Sequence, residues 1–276
     1  STFPVIKYNK IVKNSYCIGV GYNTENNPDG FDLDKIIYLD RDLLEDIKSV
    51  NHERVCDRWL RLYQLPFVDE KITSPMLDDI ESACKKKKQI IDSTKINMDP
   101  VGVTTNKNLV LILLNRRYNS FGNFGIDPYI WCNKVVKTVR EQTNLPILVK
   151  HHPERLDEDQ YNFFKNIKFG NDVYHYATEE RTNMPDGIKE DFENRNIHST
   201  ISFNTSAGLR YYLTHDVPMI IDGEKSLLKQ FSCGNINDIK NAQMLDKNKF
   251  LTWYCSTHWT SEQLLEAEPI LKLLHD

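Results

Sequence analysis

Leu109-Val110-Leu111-Ile112-Leu113-Leu114 is an unbroken apolar run of strand length, without the alternation of a half-buried strand. Such a run is expected of a strand buried on both faces of a parallel sheet. Its neighbours supply the rest of the unit. Ile126 to Thr143 has helical spacing and opens with Asp127-Pro128, a capping residue followed by proline at the first turn. Leu145-Pro146-Ile147-Leu148-Val149-Lys150 is then a second buried strand. Strand, loop, helix and strand make a βαβ unit, and the pattern recurs towards Ile201 and at Met219-Ile220-Ile221. Residues from about 107 onwards therefore read as a doubly wound α/β domain.

Upstream the pattern differs. Ser15–Tyr22 reads as a strand ending in glycine that runs into the turn-rich Asn23–Gly30, and Ile36–Leu39 as a second strand followed by Asp40-Arg41-Asp42. Leu44, Ile47, Val50, Val55, Trp59 and Leu62 predict a helix from Leu43 to about Tyr63. A further helix is expected over Pro75–Ile91, with Lys85–Lys88 on its outer face as a solvated run or an anionic contact. Residues 92–107 have linker composition. The expected division is 1–100, 107–250, and a closing segment, 251–276.

The chain has 276 residues, with 35 Lys+Arg against 39 Asp+Glu, giving a formal charge of -4 that argues against retention on nucleic acid by bulk charge. Mean hydropathy is -0.53, and no run approaches the roughly 20 apolar residues that span a bilayer. The six cysteines are scattered without C-x-x-C spacing, as for reduced, packed thiols. Ser1-Thr2-Phe3-Pro4 does not read as a secretion signal, so the expected location is the cytoplasm. Walker A, H-E-x-x-H and G-x-S-x-G motifs are missing from the sequence, which removes the usual signatures of P-loop hydrolysis, zinc proteolysis and α/β-hydrolase chemistry.

Ligands of open parallel sheets sit beyond the C-terminal strand ends, and those ends are polar here. The first run leads into Asn115-Arg116-Arg117, the second into Lys150-His151-His152, and the third, His198–Phe203, into Asn204-Thr205-Ser206-Ala207-Gly208 before a helix from Leu209 to His215. Together they point to an anionic ligand, most simply a diphosphate. The small-residue turn would offer helix N-terminal N–H groups, and Arg116, Arg117 or Lys150 the compensating charge. Singly, the same residues also fit an ordinary N-cap, structural histidines and solvated arginines. Asp40-Arg41-Asp42 has the D-x-D spacing of a metal site, but the spacing recurs at Asp32-Leu33-Asp34, and capping or solvated aspartates are the expectation.

The second half resembles the C-terminal domain of a phage, viral and bacterial group of surface-glycan glycosyltransferases. The resemblance rests on Leu113–Arg117, Gly125–Trp131, Thr143–Pro153, Phe203–Gly208 and the tail Leu251–Thr260, and spans roughly residues 109–265. Asn115 stands where glutamine is usual and His151 where arginine is usual. The resemblance implies a GT-B-like α/β fold, two Rossmann-like domains facing across a cleft. The C-terminal one would hold the nucleotide sugar through Asn115, Arg116, Arg117, Lys150, His151, His152, Asn204, Thr205, Ser206 and Ala207. It also implies a closing helical segment packed back on the N-terminal, acceptor-side domain. The implied activity is transfer from a nucleotide diphosphate sugar, UDP-sugars favoured, to a hydroxyl of a glycan or glycoprotein acceptor. Inversion, with no cofactor and no essential metal, is expected. Glycosyltransferases of large viruses that decorate capsid glycans, some of them xylosyltransferases, imply UDP-xylose as a narrower donor and host cytoplasm as the location. Asp40, after a strand, and Asp29, in the glycine-rich turn, are the candidate bases, each also readable as a turn or cap residue. Two alternatives stay open: glycosylation of a hydroxymethylated DNA base, and nucleotide-sugar binding without catalysis.

Overall fold

The computed structural model describes residues 17–20, 36–41, 60–64, 107–114, 126–151, 172–176, 184–205, 207–224, 226, 228–247, 249–250, 253–254 and 258–259. They build two sheets. The larger contains β4 (Leu109–Leu113), β5 (Ile147–Lys150), β6 (Val173–Tyr176), β7 (Ile197–Ser202) and β8 (Met219–Ile221), all parallel, in the order β6-β5-β4-β7-β8. The chain starts in the middle, steps outwards twice on one side, then crosses to the other side of β4. That is the doubly wound arrangement, and its order reverses between β4 and β7.

β4 explains why this sheet holds. All five of its residues are buried. Leu109, Leu111 and Leu113 pack with Leu148, Ile197, Tyr211 and Val217 on one face. Val110, Ile112 and Leu114 pack on the other face with Trp131, Val135, Val136 and Val139, from α1 (Pro128–Arg140). Full burial of such a side chain contributes about 1.5–3 kcal/mol, so a strand apolar at every position is stable only between two layers. The opposite layer includes α2 (Asp186–Glu193), whose Ile188 and Phe192 pack against the Leu109 face. It continues with α3 (Ala207–His215), whose Leu209, Tyr212 and Leu213 join Met219, Ile221, Phe231, Phe250, Trp253 and Tyr254.

α1 begins where expected: Asp127 Oδ1 accepts from the N–H groups of Tyr129 (2.8 Å) and Ile130 (3.0 Å). Its end is tied down by Arg140, which donates to the carbonyls of Thr143, Leu145 and Asp172. The α3 C-terminus is held similarly, by Lys247 Nζ donating to Leu213 O (2.8 Å) while it pairs with Asp216.

Two glycines allow close approaches. A Cβ on Gly208 would sit 3.1 Å from Met219 Cγ and 3.3 Å from Thr200 Oγ1, so its absence lets α3 lie close on β7 and β8. A Cβ on Gly223 would sit 2.5 Å from the Phe203 carbonyl oxygen, which accepts the Gly223 N–H at 2.9 Å.

The smaller sheet has the order β1-β2-β3-β9, with β1 (Cys17–Val20), β2 (Ile36–Arg41), β3 (Leu60–Gln64) and β9 (His258–Trp259). β1 and β2 are parallel, whereas β3 and β9 pair antiparallel, so this sheet is mixed rather than all parallel as in a Rossmann-like half. Several expectations change. Residues 60–64 are a strand, not the end of a helix, because Leu60-Arg61-Leu62-Tyr63 alternates with period two beside β2. Asp40 lies within β2 rather than after it, since pairing with β3 continues to Arg41↔Leu60. In the closing segment, expected to be helical, residues 258–259 form β9, which brings the chain back beside β3. The helix expected from Leu209 starts at Ala207. The second helix, with Lys85–Lys88, residues 92–106 of the expected 92–107 linker, and Asp29 lie outside the described residues.

Candidate functional site

The reversal between β4 and β7 fixes where a ligand of this sheet would lie: beyond their carboxyl ends. β4 continues into Leu114, whose N–H donates to Lys150 O at 2.9 Å. Asn115, Arg116 and Arg117 follow and lie outside the described residues, as do His152 and Ser206. β7 continues into buried Phe203 and half-buried Asn204 and Thr205. Thr205 Oγ1 accepts the N–H of Ala207 (3.2 Å), the exposed residue that opens α3. The turn read from the sequence as a phosphate cradle thus sits at the reversal, on the β7 side.

The described helices that follow β4 and β7, the two strands at the reversal, begin at this edge of the sheet, and they differ in charge. α1 already has a carboxylate at its positive end, because Asp127 takes two of its first N–H groups. The Ala207 N–H at the start of α3 instead receives the neutral hydroxyl of Thr205. An incoming anion would be repelled by Asp127 at the first helix and would meet only a neutral cap at the second. Of the two, α3 is the better anion acceptor.

Lys150 and His151 are adjacent but serve opposite faces, as strand alternation requires. Lys150 Nζ lies 5.6 Å from the ring centroid of Phe192, on the α2 face. Partial burial lowers its pKa first, and the charges of Arg195 and Arg210 lower it further. The His151 ring is only 3% exposed and stands edge-on to His175 at 6.1 Å. Burial, then the charge of His175, pushes its pKa down to about 3. It is a neutral ring at physiological pH. Any donor role it has is as a hydrogen-bonding group, not as a cation.

Residues that sequence reasoning missed form the wall on the β8 side. Trp131 Nε1 donates to Asp222 Oδ2 at 2.7 Å, and the Trp131 ring meets Phe203 edge-on at 6.1 Å. This joins the first turn of α1 to the end of β8 across the end of β7. The Asp222 N–H to Ser202 O and Gly223 N–H to Phe203 O bonds, both 2.9 Å, hold the same three strand ends together. The local signal was weak: Asp222-Gly223 after a strand reads as a plain turn. Arg195 and Arg210, which crowd Lys150, also carried no motif.

Asp40 is set opposite Arg61 by the β2–β3 register. At the other end of the larger sheet, a shallow polar groove of about 340 Å³ is lined by Arg140, Glu141, Gln142, Thr143, Asn144 and Lys240. Arg140 and Gln142 are already engaged there: Gln142 donates to Thr138 O and Ile236 O and accepts from Ile239 N. Among the described residues no group of three His, Cys, Asp or Glu is placed to hold a metal ion. No helix among them is long and apolar enough to cross a membrane.

No protein-family model and no curated protein matches this chain. Among solved structures, six chains match. One is KpsC of Thermosulfurimonas dismutans, a β-Kdo 2,7 transferase, at 13% identity and a TM-score of 0.43, covering 94% of this chain and 86% of that one.

Proposed function

We propose that this protein transfers a sugar from a nucleoside diphosphate sugar, UDP-sugars favoured, to a hydroxyl of a glycan acceptor, within a GT-B-like two-domain arrangement. The observation that carries the reading is the strand order. It puts Asn204, Thr205 and the neutrally capped start of α3 at the reversal, next to the strand that leads into Arg116 and Arg117. The diphosphate would take N–H groups of the Thr205–Ala207 turn, with Arg116, Arg117 and Lys150 as counter-charge. Asn115, His151, His152, Asn204 and Ser206 would supply uncharged hydrogen bonds to the donor.

In an inverting transfer, a carboxylate takes the acceptor hydroxyl proton as that oxygen attacks the anomeric carbon. The bond from that carbon to the diphosphate oxygen breaks, and the electron pair leaves on the diphosphate. Asp40 and Asp29 are the proposed bases. The leaving charge is met by the α3 terminus and the cations, so the scheme uses no metal.

A thermal-shift screen of nucleoside diphosphates and their sugars tests the donor class, because a ligand that binds the native state raises Tm by mass action. Titration calorimetry of Thr205→Ala then tests the site. Thr205→Ala removes the hydroxyl that would donate to the diphosphate while accepting from Ala207; a hydrogen bond to a charged group contributes about 1.5–3 kcal/mol, so donor Kd should rise roughly tenfold or more. Absence of any shift with all nucleotides, or an unchanged Kd in the variant, refutes the reading. Donor binding without turnover on any acceptor leaves a binding protein, and full turnover by both Asp40→Asn and Asp29→Asn removes the proposed bases.

A further inference from the structure

β7 ends on a buried hydroxyl. Ser202, its last residue, is only 1% exposed, and Thr200 two residues earlier is fully buried. Among the described residues, neither Ser202 Oγ nor Thr200 Oγ1 has a hydrogen-bond partner. Burying a hydroxyl without a hydrogen bond costs free energy that an apolar side chain of similar size would not. Most buried polar side chains are partnered, so two such groups at alternate positions of one strand are unusual.

The strand register places both of them. Residues paired across a sheet share a face, and Ser202 pairs with Leu113 on one side and Ile221 on the other. Leu113 packs with Tyr211, and Ile221 with Leu209 and Tyr212, all three in α3. Ser202 therefore lies on the α3 face, and so does Thr200. Thr200 sits directly beneath the first turn of α3: a Cβ on Gly208 would come within 3.3 Å of Thr200 Oγ1 and 3.1 Å of Met219 Cγ. That contact is too close for a ligand group to enter. β7 and β8 are parallel, so α3 between them runs back from the carboxyl edge of the sheet. Ser202 is two residues nearer that edge than Thr200, about 6–7 Å along the strand. It lies past Gly208, on the side to which the first N–H groups of α3 point.

We propose that Ser202 Oγ–H donates to a phosphate oxygen of the diphosphate at the start of α3, completing the donor site from the floor of the sheet. This rests on the donor reading above and adds to it a residue outside the Asn204–Ala207 turn. Beside a helix N-terminus the hydroxyl meets an anion as a hydrogen donor, whereas a cation would be repelled by the same helix end. Thr200, covered by Gly208 and Met219, takes no part.

The test titrates the full chain with UDP, and separately with inorganic pyrophosphate, by calorimetry in wild type, Ser202→Ala, Thr200→Val and Thr205→Asp. Thermal unfolding gives the Tm of each free protein. Ser202→Ala removes a hydroxyl that stabilises nothing in the free protein, so its Tm is expected at or above that of wild type. Its Kd for both probes should rise roughly tenfold or more, as for loss of a hydrogen bond to a charged group. Thr200→Val keeps its shape, and its affinities should stay within twofold of wild type. Wild-type affinity in Ser202→Ala overturns the assignment; if Thr205→Asp nonetheless weakens binding, the donor reading stands without it. A markedly lower Tm in Ser202→Ala also overturns it, because the hydroxyl would then serve the fold. So does an equal loss of affinity in Thr200→Val, which would trace the effect to packing under α3. Pyrophosphate binding that needs Ser202, in a protein that binds no nucleotide, supports the phosphate contact and defeats the donor reading alone. A wild type that binds neither probe overturns both.

Discussion

Replacing His151 by Asn changes how stability depends on pH, and the size of the change follows from burial of the ring. An unfolded histidine titrates at 6.5 and the folded His151 at about 3. The folded pKa is the depressed one, so the stabilisation is complete above 6.5 and is lost as pH falls towards 3. At pH 5.0 the unfolded chain has taken the proton and the folded one has not. The difference integrates to about 2 kcal/mol relative to pH 7.5. For a domain of 150–250 residues this corresponds to a fall in Tm of roughly 4–8 °C. His175, His198 and His215 are also lowered by burial and add to the wild-type loss, which makes the comparison between proteins the informative quantity. Thermal unfolding of wild type and His151→Asn is followed from pH 7.5 to 5.0. The variant starts lower, because its packing is disturbed, but its decline is shallower by the stated amount. Parallel declines would refute the buried, neutral ring, and with it the exclusion of His151 as a source of positive charge for a diphosphate.

Gly223→Ala forces a Cβ to 2.5 Å from a backbone oxygen that cannot move alone; a destabilisation of about 2–4 kcal/mol is expected in urea unfolding from overpacking and the strained Gly223 N–H bond. Gly208→Ala meets the flexible end of Met219 and gains helix propensity, so its cost stays below that of Gly223→Ala; the reverse ranking would contradict the packing of α3. Trp131→Phe removes the donor to the half-buried Asp222 carboxylate and should cost about 1.5–3 kcal/mol in the same assay. The Cys132 thiol is fully buried, with its pKa raised to about 12; peptide mapping after alkylation at pH 8 should find it modified only when the chain is unfolded.

How much of this was readable in advance depends on how each residue is stabilised. β4, β5 and β8 were legible because burial on both faces leaves an uninterrupted apolar run. α1 was legible because Asp127-Pro128 announces its start. β6 was not. Val173-Tyr174-His175-Tyr176 is half-buried at every position and, among the described residues, pairs only with β5, so no run and no clean alternation marks it. α2 was missed for a related reason: none of its residues is buried and its start, Pro185, makes no side-chain cap. The Leu60–Gln64 strand was hidden because Trp59 and Leu62 also fit a helical spacing, and only pairing with β2 decides between the periods. Among site residues, the Thr205 turn was visible as local chemistry. The Trp131–Asp222 bond joins residues 91 positions apart and exists only once β8 lies beside β7.

The same distinction bears on where an anion could bind. From the sequence, two helices follow strands with small or capping residues at their starts, Asp127-Pro128 and Thr205–Ala207, and either could serve a phosphate. The structure separates them through a single atom in each cap. Asp127 Oδ1 takes two N–H groups of α1 and brings a negative charge with it; Thr205 Oγ1 takes one at α3 and brings none. Exchanging these caps would test that argument. Asp127→Ser should remove the local repulsion and leave α1 capped, since serine and aspartate are comparable N-caps. Thr205→Asp should keep α3 capped while placing a carboxylate where the diphosphate is proposed. Stability should therefore change by well under 1 kcal/mol in both. Nucleotide affinity should fall about tenfold or more in Thr205→Asp alone, as expected when a like charge faces the ligand. An undiminished affinity in Thr205→Asp would show that charge at the α3 terminus does not govern binding, and the donor would have to be sought elsewhere on the sheet.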